Sequence, residues 1–201
     1  MTRPTMDEIL PDHCAKSVVI LCCGNVLFGD DGFGPAVAAR LNAGDVPEWA
    51  VVIDAGTGVR ELLFDMVLSE RRPRLAIVVD AVELGSAQES GAVRIADDVD
   101  GGEAMAGGGV PEPGELFEIP LDRIPRVQAS EFSVHQAPTA NLLQELHDLG
   151  GIRVVVIVCQ VASVPEEMTE EMSPAVEAAV ERAASTIAER FLREPVGAPP
   201  P

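Results

Sequence analysis

Four short runs of consecutive apolar, mostly β-branched residues constrain this chain most: SVVILC (17–22), AVVID (50–54), RLAIVVD (74–80) and RVVVIVC (153–159). Runs of that length without polar alternation fit strands buried on both faces. Between and after them the apolar spacing changes to three and four. Phe33, Val37 and Leu41 share a helix face, with Pro35 near the first turn. Val59, Leu62, Leu63 and Met66 mark a second helix. Leu142, Leu146 and Leu149 mark a third, beginning near Pro138. Val176, Val180, Ala183, Ile187 and Phe191 mark a fourth, with Ser173 as N-cap and Pro174 in its first turn. Strands alternating with helices predict an α/β chain, a single domain whose central, mostly parallel sheet has helices on both faces. Ligands in such folds bind beyond the carboxyl ends of the strands. Acidic residues fall there: Asp30-Asp31, Asp54 and Asp80, the last closing its strand.

The pattern weakens between 85 and 130. Residues 91–96 suit a short strand, and GGEAMAGGGVPEPG (101–114) reads as a mobile surface loop. The domain is expected to span 1–194, with 195–201 (PVGAPPP) a disordered tail. At 201 residues and 47 % hydrophobic, one domain with a sizeable core is the natural reading.

Charge excludes several function classes. With 14 basic against 33 acidic residues, the net charge is −19. Such a surface repels nucleic acid and anionic membrane. A basic partner, or a cation in a carboxylate site, suits it better. Lys16 is the only lysine, which removes P-loop and Schiff-base chemistry elsewhere. Cys14, Cys22, Cys23 and Cys159 form no C-x-x-C. Adjacent strand residues face opposite ways, so Cys22 and Cys23 make poor partners, and free buried thiols in a reducing compartment are expected. No apolar run approaches the ~18 residues of a spanning helix. The first residues lack the apolar stretch of a signal peptide, and a cytoplasmic protein is expected.

The glycines after the first strand, Gly24, Gly29, Gly32 and Gly34, do not form G-x-G-x-x-G. Two adjacent carboxylates would also repel a pyrophosphate. Of Asp30 and Asp31, one is expected to face the cleft and the other solvent or the loop amides. Asp30 equally suits the positive end of a helix, and Asp54 and Asp80 equally suit turns. His13 and His147 read as structural or solvated. His135, just before the third helix, can complete an N/O metal site with two strand-end carboxylates, of a type that suits nickel or zinc. There is no G-x-S-x-G. A cysteine hydrolase built on Cys23 and His135 is an alternative, against which the buried thiol is preferred.

GNVLFGDDGFGPAVAARL (24–41), IDAGTGVRELLFDM (53–66), IVVDAVELG (77–85) and SVHQAPTANLLQEL (133–146) together resemble the hydrogenase maturation endopeptidase family. SPAVEAAVERA (173–183) is similar to that family's terminal helix. CGNVLFGDDGFGP and HQAPTANLLQEL look most like the members that serve deazaflavin-reducing hydrogenases. The resemblance covers most of the chain in the family's order; the 86–130 stretch departs from it.

The resemblance implies a single α/β domain that removes a short C-terminal extension from a nickel–iron hydrogenase large-subunit precursor after nickel insertion. It places Asp31, Asp80 and His135 at the metal, with Asp31 and Asp80 as the catalytic carboxylates. Gly24, Asn25 and Asp54 are expected to bind substrate. Nickel arrives with the substrate, and no organic cofactor is expected. The alternatives are a non-proteolytic nickel-binding maturation chaperone and a structural adaptor domain.

Overall fold

The computed structural model describes residues 12–84, 92–95, 111–124, 137–163, 165 and 167–195. Among them are six strands: β1 (Val18–Cys23), β2 (Ala50–Gly56), β3 (Leu75–Val82), β4 (Val93–Arg94), β5 (Leu116–Ile119) and β6 (Arg153–Gln160). The helices are α1 (Phe33–Asn42), α2 (Val59–Leu68), α3 (Ala137–Asp148) and α4 (Pro174–Phe191). The sheet order is β2-β1-β3-β6-β5-β4. β2, β1, β3 and β6 run parallel, and β5 and β4 extend the sheet antiparallel.

β1 and β3 are buried along their whole length, as their unbroken apolar runs require. Their alternate side chains feed two separate cores. Val18, Ile20 and Cys22 pack with Phe33, Val37 and Leu41 of α1 and with Ala183 and Ile187 of α4. Val19, Leu21 and Cys23 pack with Leu63 and Met66 of α2 and Leu142 and Leu146 of α3. The sheet is therefore covered on both faces. Cys22 and Cys23 lie on opposite sides of it, and all four cysteines are free and buried.

Some boundaries and one face differ from the sequence expectation. β3 continues to Val82 because its ladder with β6 runs on to Val82–Gln160, so Asp80 sits inside the strand instead of closing it. Leu149 lies beyond the end of α3 and is 78 % exposed. Gly150 and the left-handed Gly151 turn the chain there, and Leu143 joins Leu142 and Leu146 in the core. β5 lies in the stretch where no periodicity was visible. It is only four residues long, too few to display a period.

Of the 101–114 loop, 101–110 lie outside the described residues. Its last four residues form a turn tied to β6 and α4. Gly114 takes φ +83, its N–H donates to the Gln160 carbonyl at 2.8 Å, and its carbonyl accepts from Arg182 Nη2 at 2.6 Å. A Cβ at Gly114 would lie 2.4 Å from the Ala175 carbonyl oxygen, so the turn is pressed against the start of α4. Of the expected tail, 196–201 lie outside the described residues.

Candidate active site

The chain leaves β1 through a loop that folds back on itself. Gly24 adopts φ +132, and a Cβ there would lie 1.9 Å from the Asp31 carbonyl oxygen. Only glycine permits that approach. The Asn25 N–H then donates to the Asp31 carbonyl at 3.1 Å and to Asp31 Oδ2 at 2.8 Å. Asn25 Oδ1 accepts from the Leu27 N–H at 3.1 Å, and the Asp31 N–H donates to the Phe28 carbonyl at 3.1 Å. The half-buried Asp31 is thus held by its own loop at the carboxyl end of β1. Gly24 N–H donates to the Gly56 carbonyl at 3.0 Å, tying this loop to the turn after β2.

Asp30 takes a different course. It is buried, and its carboxylate accepts three hydrogen bonds: from Ser173 N–H (2.6 Å, Oδ1), Ala162 N–H (2.8 Å, Oδ2) and Ser173 Oγ (3.0 Å, Oδ2). Ser173 stands at the N-cap of α4, yet its hydroxyl serves Asp30 instead of the helix amides. Asp30 is thereby a clasp between the β1–α1 loop and the β6–α4 connector. A second link lies next to it: the Gly29 N–H donates to the Thr169 carbonyl (2.7 Å), and the Thr169 N–H to the Leu27 carbonyl (2.9 Å). Each Asp30 oxygen faces a backbone N–H, so Asp30→Asn turns its amide NH2 towards a donor in either orientation. It is expected to lower stability by about 2–4 kcal/mol. Chemical denaturation of the variant measures this; an unchanged midpoint would contradict the clasp.

Asp80 is buried on the α2–α3 face of β3, where its Oδ1 accepts from the Ala81 N–H at 2.8 Å. Cys22 pairs with Val79 in the β1–β3 ladder, so Cys23 continues beside Asp80. Burial pushes the Cys23 thiol well above its ordinary ionisation range, and the charges of Asp80, Asp31 and Asp54 push it further. Cys22 rises to about 12, from burial and then Asp54 and Asp80. Asp31 in the loop after β1, Asp54 opposite Cys22 in the β1–β2 ladder and Asp80 beside Cys23 thus flank the end of β1. Asp54 is the exposed member, with Oδ1 accepting from the Gly56 N–H at 3.1 Å.

A thiol held protonated in this way is a poor nucleophile. Iodoacetamide at neutral pH is accordingly expected to leave activity unchanged; complete inhibition would restore the cysteine alternative. His135 lies outside the described residues. Among the described residues no three His, Cys, Asp or Glu side chains sit close enough to hold a metal ion by themselves. His147 is structural, its Nδ1 lying 3.1 Å from the Ile152 carbonyl. His13 is buried, with Nε2 4.0 Å from Asp65.

Two features escaped the sequence reading. Gln160 is buried at the end of β6, accepting from the Leu84 N–H (2.9 Å) and donating to the Val161 carbonyl (3.0 Å). A polar residue ending an apolar run, as at Asp80, was its available signal. The connector that Asp30 grips carried none.

A protein of Methanocaldococcus jannaschii assigned as a candidate hydrogenase maturation protease is 34 % identical over 145 residues, covering 72 % of this chain and 76 % of the relative. The chain belongs to the hydrogenase maturation protease family. Its place there makes it an endopeptidase of hydrogenase maturation. The profile of the HycI hydrogenase maturation protease family matches residues 104–190. The coenzyme F420 hydrogenase subunit delta of Methanothermobacter thermautotrophicus is 31 % identical over 71 % of this chain and 73 % of its own length. Among solved structures, the [NiFe] hydrogenase maturation protease HycI of Thermococcus kodakarensis superposes with a TM-score of 0.58 at 24 % identity, covering 87 % of this chain and 91 % of that one. The solution structure of the Escherichia coli endopeptidase HycI gives 0.58 at 27 % identity, covering 84 % and 87 %. The α/β fold with its mostly parallel sheet is the fold of these proteases.

Proposed function

We propose that this endopeptidase removes the C-terminal extension of a nickel-loaded nickel–iron hydrogenase large-subunit precursor, and that it recognises the nickel carried by that substrate. The observation that carries the reading is the placement of Asp31 and Asp80 at the end of β1, each accepting from a backbone amide. Two carboxylates at the carboxyl edge of a parallel sheet give that edge the negative charge that attracts a cation. Nickel already ligated by precursor thiolates needs only a few further donors. Asp31 and Asp80 would supply oxygens and His135 a nitrogen, while Gly24, Asn25 and Asp54 would line the path of the extension. A nickel-free precursor would lack this anchor, so recognition would also serve as a checkpoint.

In the hydrolysis, water adds to the scissile carbonyl carbon, the C–N bond breaks, and the water's proton passes to the leaving amine. One carboxylate of the Asp31–Asp80 pair would act as general base, and the substrate's nickel would polarise the carbonyl. The likeness to the F420 hydrogenase subunit delta favours a precursor of the deazaflavin-reducing class. None of the described helices is long and apolar enough to cross a membrane. The cytoplasm is the compartment proposed for the reaction. The mass of the large subunit after incubation with the protein tests the proposal. Loss of the extension is expected; an intact mass would favour the nickel chaperone.

A further inference from the structure

Three of the large apolar side chains exposed among the described residues gather beside Asp31: Val26 (52 % exposed), Leu27 (40 %) and Met168 (73 %). They belong to segments far apart in sequence that the backbone joins. Phe28 and Thr169 form a parallel bridge, with Thr169 N–H on the Leu27 carbonyl and Gly29 N–H on the Thr169 carbonyl. Gly32 lies beneath the lip: a Cβ there would be 3.3 Å from Val26 Cα and 3.8 Å from Met172 Cε, and Met172 packs against the core. The Asp30 clasp fixes both segments to the body of the protein. Val26 follows Asn25, whose amide holds the Asp31 carboxylate, so this apolar lip is continuous with the site.

Exposed apolar side chains on a rigid frame beside an active site are favourable docking points, because the frame loses little freedom when they are covered. Their surroundings restrict what can cover them. Glu167, Glu170 and Glu171 stand exposed in the segment that carries Met168. The same bridge borders a recess of about 330 Å³, lined among the described residues by Asp30, Pro165, Thr169, Glu171 and Met172 and by no basic side chain. A second copy of this chain would set glutamates against glutamates, in a molecule of net charge −19. A segment bearing both apolar and basic side chains complements the lip on both counts.

We infer that the lip formed by Val26, Leu27 and Met168 docks the hydrogenase precursor through a stretch of mixed apolar and basic side chains near the cleaved bond. The identity of the partner rests on the proposed function; the surface itself rests on exposure, charge and the two backbone links. The lip governs substrate affinity and leaves the chemical step to the carboxylates.

Two double variants test it: Leu27→Ser with Met168→Ser, and Glu167→Lys with Glu170→Lys. Leu149→Ser, an exposed apolar position at the opposite end of the sheet, is the control. The measurements are KM and kcat on purified nickel-loaded precursor, Kd for the same precursor immobilised, the thermal midpoint, and the mass in solution by light scattering. Both double variants are expected to raise KM and Kd at least tenfold, with kcat within twofold, an unchanged midpoint and monomeric mass; the control matches wild type. An unchanged Kd in both double variants would overturn the inference. So would a wild-type dimer that the serine variant dissociates, or wild-type protein that does not bind the precursor. Wild-type protein that binds the precursor but leaves its mass intact would refute the endopeptidase reading alone, and the Kd values would still judge the lip.

Discussion

Asp31→Asn and Asp80→Asn are each expected to slow precursor cleavage at least about 100-fold, with the thermal midpoint nearly unchanged. Loss of groups that merely orient a metal ligand costs about 10–100-fold, and these substitutions remove the ligand charge itself. Stability survives because asparagine keeps an acceptor oxygen. At position 31 that oxygen can still receive the Asn25 N–H, and at position 80 the Ala81 N–H. Asp30→Asn behaves in the opposite way, losing stability because a backbone N–H faces each of its two oxygens, while its folded fraction still cleaves. His135→Ala is expected to match the two site carboxylates. Normal cleavage by Asp80→Asn would show that the carboxylates do not share one substrate metal. An inactive Asp30→Asn beside a normal Asp31→Asn would reverse the roles within the pair.

Gly34→Ala is expected to rank with Gly24→Ala among the most damaging single methyl additions in the described structure. Its Cβ would lie 2.0 Å from the Cys23 carbonyl oxygen and 2.8 Å from the Cys23 nitrogen. Both are backbone atoms of β1, which is fixed between β2 and β3 and has no flexible end to yield. α1 would have to move off the sheet, separating Phe33 and Val37 from Ile20 and Cys22. Such overpacking belongs among the largest single-residue effects, about 4 kcal/mol or more. At this chain length that lowers the midpoint by about 8–16 °C. Gly44→Ala serves as the comparison, since its Cβ would meet the Leu41 carbonyl at an ordinary 3.4 Å. Calorimetry of the two variants checks this; equal midpoints would mean that α1 does not press on β1 as described.

The elements legible in the sequence were those whose environment is uniform along their length. β1 and β3 are buried on both faces, so every residue in them reports strand. α1, α2 and α4 each lay one stripe on the sheet, and their periodicity reports it. β4 falls inside the short strand expected at 91–96, whereas β5 was not legible, because four residues show no period and its antiparallel register is set by β6. Leu149 misled because its spacing continued the helix while Gly150-Gly151 ended it. Asp80 was legible as a polar residue in an apolar run, although the strand goes two residues further. Asp31 and Asp30 could be separated only in principle: consecutive residues cannot both enter one cleft. Which of them the protein's body consumes depends on Ala162 and Ser173, more than 130 positions away, and no local pattern encodes such partners.

Action of Asp31 and Asp80 through the precursor's nickel makes cleavage depend on that nickel. Purified large-subunit precursor, nickel-loaded and nickel-free, would be incubated side by side with the protein and the large-subunit mass followed over time. The account predicts loss of the C-terminal extension from the nickel-loaded form only, and none from either form with Asp31→Asn. Equal processing of the nickel-free precursor, or full processing by Asp31→Asn, would contradict it.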